Sequence, residues 1–351
     1  MRTGWRGRVA HRSGTTRVDR FTTMADQRSL SVGLPPSPES VDLAQLAEEL
    51  GYTRVWLFDS AALYEDIWVH LALLAEHTSI DLGTAVLVPN LRHVMTTASA
   101  IATIDRLAPG RLACGFGTGA TARWVLGKDA LSWATTRRYF EQLRALLRGD
   151  VVEVDGAATQ MIHRPELART RPIDVPLLLS ALGPKGREIC REIADGVITI
   201  GGAVEGMDWV VQMVNGTVLG AGEGLGSVRA KEAMGPWGVL AYHGTWQAAG
   251  EAVDNFPLGA EWRAAIEAER PEGERHLAVH EGHASHVTER DRPLVDGAGD
   301  VISGFGWIGT ADDVRARADA AFAAGATELL YTPAGPDLAH ELRTFAAAVL
   351  G

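Results

Sequence analysis

The sequence predicts an α/β protein folded as a (β/α)8 TIM barrel with an insertion near its C-terminal mouth. Short apolar strand runs alternate with helical stretches along the chain, the pattern of a parallel sheet with helices packed outside it. Eight strand candidates can be counted, the number that closes such a barrel. The glycine-rich segment GFGTGA at Gly115–Ala120 follows the fourth of them. The competing doubly wound sheet places its nucleotide loop after the first strand instead.

The elements follow in chain order. SLSVGL at Ser29–Leu34 is a first strand, stopped by Pro35, Pro36 and Pro38. Glu39–Leu50 carries Val41, Ala44, Ala47 and Leu50 at helical spacing, and Gly51 closes it. Arg54–Phe58 is a second strand, ending at Asp59 and Ser60; Asp66–His77 is a Leu- and Ala-rich helix. The strand Asp81–Val88, the helix Thr96–Leu107 and the strand Arg111–Phe116 come next, then the glycine loop and a helix over Trp133–Leu147. A second run has the strand Pro176–Ser180, the loop ALGPKG, the helix Arg187–Ala194 and the strand Gly196–Ile200. The apolar run Trp237–Tyr242 reads as a strand, and Ala311–Ala324, Glu328–Tyr331 and Asp337–Leu350 as helix, strand and helix. The irregular, Glu- and His-rich residues 245–300 read as the insertion, within one domain over residues 29–351.

Bulk properties narrow the function. The chain is 46% hydrophobic and 22% charged, ordinary for a globular enzyme. A formal charge of −11 with no basic stripe argues against a nucleic-acid partner. No apolar run is long enough to span a bilayer, so no membrane partner is expected. Cys114 and Cys190 lack any metal-type spacing and point to a reduced, cytoplasmic setting. Residues 1–28 are Arg-rich and acid-poor. They resemble a transit peptide in composition, but are better read as a disordered tail or as a start assigned too early, with Met24 as the natural beginning.

Four features carry candidate chemistry. Small residues in Gly115–Ala120 let backbone N–H groups approach an anion, although a ligand-free tight turn uses the same residues. The loop Ala181–Gly186 repeats the arrangement, with Lys185 in the first helical turn. Arg92 and His93 follow the third strand, where they either reach the site or cap the next helix. In HLAVHEGHASH, His276, His280, His283 and His286 recur at spacings of four and three. An HExxH pair is absent and glycine interrupts the run, so no metal is assigned there. Solvated or core-capping histidines are the plain reading, and one of them lining a substrate pocket is the functional one.

The segments GTAVLVPNLRH, APGR and EIADGVI, with Asp59-Ser60 after the second strand, resemble the luciferase-like flavin monooxygenase superfamily over roughly residues 29–351. Within it the chain looks most like the branch that uses the deazaflavin coenzyme F-420, which includes methylenetetrahydromethanopterin reductases and F-420-dependent glucose 6-phosphate dehydrogenases. The resemblance implies that Ala85 and Val86 flank a non-prolyl cis peptide beside the deazaflavin ring. It implies further that Asp59 lies under the pyrimidine side of the ring. Gly117, Thr118 and Gly119, with Ala181, Leu182, Gly183 and Lys185, would then hold the phosphate-bearing tail. The chain also departs from that pattern. Ser60 stands where the sugar-phosphate dehydrogenases carry a catalytic His, Ala120 where they carry a Glu, and Tyr64 in place of a ring-stacking Trp. Sugar oxidation thereby loses its proton-transfer partners. The resemblance therefore implies a cytoplasmic, homodimeric oxidoreductase moving a hydride between deazaflavin C5 and a small-molecule substrate, by C=C, C=N or pterin-type methylene reduction. Tyr64, His93 and His283 are the candidate proton donors. The alternatives are an FMN-dependent monooxygenase using reduced flavin and O2, and a non-catalytic flavin-binding relative.

Overall fold

A computed structural model describes residues 28–297 and 304–351 of the protein. The expectation about the N-terminal extension therefore lies almost wholly outside the described residues. Eight parallel strands close a barrel: β1 (Ser29–Leu34), β2 (Arg54–Leu57), β3 (Asp81–Leu87), β4 (Leu112–Phe116), β5 (Leu177–Ser180), β6 (Gly196–Thr199), β7 (Val210–Val214) and β8 (Glu328–Tyr331). Each strand pairs with its neighbour in sequence, and β8 returns to β1 with Ser29 opposite Glu328. The strands read as nearly unbroken apolar runs because both of their faces are covered. Outward residues pack against the helices, and inward ones form a second cluster of Trp56, Ala85, Ala113, Leu178, Ile198, Trp209, Val211 and Leu330.

The N-terminal end of the barrel is plugged by a polar group that needs its partners. Glu328 is 1% exposed and accepts hydrogen bonds from the indoles of Trp56 (2.7 Å) and Trp209 (3.1 Å). The Arg54 guanidinium lies 3.8 Å from the same carboxylate, and its other arm reaches Asp81 at 3.3 Å. Trp56 fills this region only because Gly83 on the adjacent strand has no side chain; a Cβ there would sit 2.2 Å from the indole.

One strand differs from the sequence expectation. Trp237–Tyr242 is not a strand but the middle of a helix, Val228–Ala249, and β7 is the unread segment VVQMV. A short apolar run does not distinguish strand from buried helix. Here Ala230, Ala233, Met234, Val239 and His243 are buried at helical spacing, and that pattern outlasts the run. The helix opens an inserted layer between β7 and β8, followed by helices Gly259–Glu269, Arg275–Val279 and Arg292–Gly297. Val239, Val253, Trp262, Ile266, Val279 and Leu294 belong to its own apolar core. Two short strands outside the barrel, Gly216–Val218 and Trp307–Gly309, pair in parallel just beyond the C-terminal end of β7. Among the described residues, no helix is long and apolar enough to cross a membrane.

Candidate active site

The C-terminal strand ends and the inserted layer bring the predicted residues to one mouth. At the end of β2, Asp59 is 4% exposed and both its carboxylate oxygens accept from Nη1 of Arg92, at 2.9 and 2.8 Å. The other arm of Arg92 donates to Asp66 at 2.8 Å. Asp66 in turn caps helix Ile67–His77 by accepting from the amides of Trp68 and Val69. Burial pushes the Asp59 carboxyl above the usual carboxylate range against the opposing pull of Arg92. Asp66 is more exposed; there the hydrogen bond and charge of Arg92 outweigh burial and the carboxyl is lowered. Arg92 thus reaches the site, a role left open by sequence. His93 takes the capping role, accepting from the Met95 amide at 3.2 Å, half exposed and 3.6 Å from Asp155.

The end of β3 is irregular. The Ala85–Val86 peptide is cis, and the pairing with β4 shifts register between Thr84 and Leu87. Thr84 Oγ1 bridges the gap, accepting from the Gly115 amide at 3.0 Å and donating to the Gly115 carbonyl at 3.1 Å. The glycines of the following loop answer this bulge. A Cβ at Gly117 would meet Val86 at 2.8 Å, and one at Gly119 (φ +81°) would meet Val88 at 2.3 Å. The Gly117 amide is engaged with the Leu87 carbonyl at 3.0 Å. The loop's glycines therefore let β4 pass the bulge closely, which is a packing reason for a pattern that also suits an anion.

The second loop is more open. The Ala181 amide is used within the sheet, donating to Ile198. Leu182 is exposed, and Gly183 is the N-cap of the ten-residue helix Pro184–Ile193, with no side chain capping it. A Cβ at Gly183 would meet nothing within 4 Å, nor would one at Gly201 or Gly202. Lys185 is exposed in the first turn. An uncapped helix start with a lysine beside it and space in front is a fitting cradle for a phosphate-bearing tail.

The inserted layer covers the mouth from the other side. The Tyr64 hydroxyl donates to the His283 carbonyl at 3.3 Å, and burial pushes the phenol up to about 12. The His283 imidazole is buried, with Nε2 3.0 Å from Thr121 Oγ1 in the short helix Ala120–Trp124. Of the four histidines in the predicted run, the structure brings together His280 and His283. It adds His243, which sequence reading missed; a polar residue one helical turn after buried Val239 was the available signal. These three could hold a metal ion, since one ring nitrogen from each lies within 4.8 Å of the other two. His276 instead lies beside Gly127, and His286 contacts Ser285.

Comparison with known proteins agrees with this architecture. The chain is 33% identical over 160 residues to the 5,10-methylenetetrahydromethanopterin reductase of Methanolobus tindarius, covering 44% of this chain and 48% of that protein. It is 32% identical over 174 residues to the F-420-dependent glucose-6-phosphate dehydrogenase of Beutenbergia cavernae, covering 45% and 51%. The chain thus spans about half the length of the curated relatives it matches. In fold it is similar to the coenzyme F-420-dependent tetrahydromethanopterin reductase of Methanopyrus kandleri, with a TM-score of 0.63, 21% identity, and 92% and 99% of the two chains covered. The sequence profile of the luciferase-like monooxygenases matches residues 16–328. Together with the closed barrel and the inserted layer at its mouth, that match means the chain belongs to the luciferase-like monooxygenase family.

Proposed function

We propose that this chain is an F-420-dependent oxidoreductase whose site lies at the C-terminal mouth of the barrel. The observation that carries the reading is the arrangement of the bulged Ala85–Val86 edge and the uncapped helix start at Gly183 at the C-terminal ends of the same barrel. The F-420 in the name of the Beutenbergia cavernae relative points the same way. Leu182, Gly183 and Lys185 would hold the anionic tail, with Gly117, Thr118 and Gly119 alongside. Ala85 and Val86 would support the ring face, and Asp59, fixed by Arg92, would orient its polar edge. When bound, the deazaflavin supplies a carbon, C5, that carries a hydride; the chain's own residues place it and exclude water.

Proton transfer is where this chain departs from sugar oxidation. Ser60 and Ala120 offer neither a His base nor a Glu acid, which favours reduction of a C=C, C=N or pterin-type methylene carbon. Burial lowers His283 to about 4, so it is neutral and unprotonated near pH 7, and His93 is engaged in capping. Tyr64 keeps its proton through neutral pH and is the donor we assign where the substrate needs one. The same reading takes the chain to act on a small molecule as a cytoplasmic homodimer. Oxidation of reduced F-420, followed by absorbance with an enone, a cyclic imine and a methylene pterin as acceptors, tests the proposal. Turnover of at least one, with none in the reverse direction on glucose 6-phosphate, is expected. Sugar oxidation at comparable rates would overturn the choice of reaction.

A further inference from the structure

Three buried histidines meet beside the mouth with their ring nitrogens close together. His243, His280 and His283 are 1%, 1% and 4% exposed. Nδ1 of His283 lies 3.0 Å from Nδ1 of His243 and 3.4 Å from Nδ1 of His280. Zinc–nitrogen bonds of about 2.0–2.1 Å set tetrahedrally place neighbouring nitrogens about 3.3–3.4 Å apart, so these separations suit a shared cation.

The outward nitrogens point to the same conclusion. His283 Nε2 faces Thr121 Oγ1 at 3.0 Å, and His280 Nε2 faces the side-chain oxygen of Gln247 at 3.2 Å. His243 Nε2 is buried without a hydrogen-bond partner, and the carboxylate of Asp291 lies 3.9 Å away. Asp291 is itself fixed, accepting from the Trp262 indole at 2.8 Å and from Thr288 at 2.7 Å. His280 and His283 thus each spend Nε2 on an outer oxygen neighbour, which leaves their Nδ1 atoms for the inner gap. Nδ1 of His283 then sits between the Nδ1 atoms of the other two rings across short gaps, and one ring nitrogen from each lies within 4.8 Å of the other two. A divalent cation would be shared by these nitrogens, and outer oxygens on ligating imidazoles are the usual support of such a site.

We propose that His243, His280 and His283 bind one divalent transition-metal ion, of the Zn2+ class, through Nδ1. The ion links helix Val228–Ala249 to the 280–283 turn, and through Thr121 and Trp124 to the segment after the glycine loop. Trp124 stacks on His280 at 5.7 Å and Trp262 on His243 at 5.8 Å, which leaves the rings little freedom to reorient. The site is therefore a clamp that holds the inserted layer on the mouth, and it does not depend on which cofactor the mouth takes.

The test uses the untagged full-length chain, stripped of metal with a chelator and titrated with Co2+, then Zn2+. One equivalent of Co2+ should give the strong visible absorption of a tetrahedral site, lost on adding Zn2+, and the metal should raise Tm. His280→Gln and His243→Asn should abolish uptake. Thr121→Val, which removes only an outer oxygen, should weaken it by about 10- to 100-fold while the chain stays folded. Absence of stoichiometric uptake by the folded wild-type chain would overturn the proposal. So would uptake undiminished in His280→Gln, or unchanged affinity in Thr121→Val.

Discussion

At the scale of single residues, the Asp59–Arg92 pair shows how a buried charge is kept. Removing Arg92 leaves the carboxylate in a site that already disfavours its ionised form. Arg92→Ala should therefore cost about 3 kcal/mol of stability near neutral pH, read from urea unfolding. The pH dependence has a definite sign. With Arg92 gone, the folded-state value of Asp59 rises further above its unfolded value, so the folded chain binds the extra proton. Stability of the variant should be least impaired at low pH and fall as pH rises from the ordinary carboxylate value through the raised one. Tyr64→Phe tests a different role: a fall in kcat of about 100-fold with KM little changed is expected if the phenol delivers the proton. An unchanged kcat would remove Tyr64 from the chemistry.

At the scale of elements, close approaches explain residues that composition leaves ambiguous. Gly83→Ala drives a methyl group into the Trp56 ring and disturbs both indole contacts to Glu328. Overpacking of that kind costs about 1–3 kcal/mol, and thermal unfolding should show it as a lowered Tm with the fold retained. The helix beginning at Pro184 should respond in the opposite way. Gly183→Asp supplies the missing cap and should hold or slightly raise stability, by a few tenths of a kcal/mol. It also places a negative charge where the anionic tail would sit, so cofactor affinity should fall by about tenfold or more. Stability and binding moving apart in one variant would mark the helix start as a binding feature.

At the scale of the whole molecule, the barrel was legible because each βα unit repeats one pattern, and seven of eight strands were read near their true bounds. β7 was missed because VVQMV sits close after β6 with no helix between them. The interior of helix Val228–Ala249 imitates a strand over a few residues. In the candidate site, what depends on backbone position was legible: the Ala85–Val86 edge and the Gly183 loop lie at strand ends that chain order already locates. What depends on side chains meeting across the fold was not legible. Nothing in the spacing of His280 and His283 announces His243, which arrives on a helix read as a strand, nor does local sequence join Asp59 to Arg92.

Whether the mouth holds a deazaflavin is read from equilibrium titration of the full-length chain with F-420 and with FMN, followed by fluorescence. Saturable F-420 binding that Gly183→Asp weakens is expected, with FMN bound far less well. Tight FMN binding with no F-420 binding would contradict it and return the chain to the oxygen-using chemistry for which its family is named.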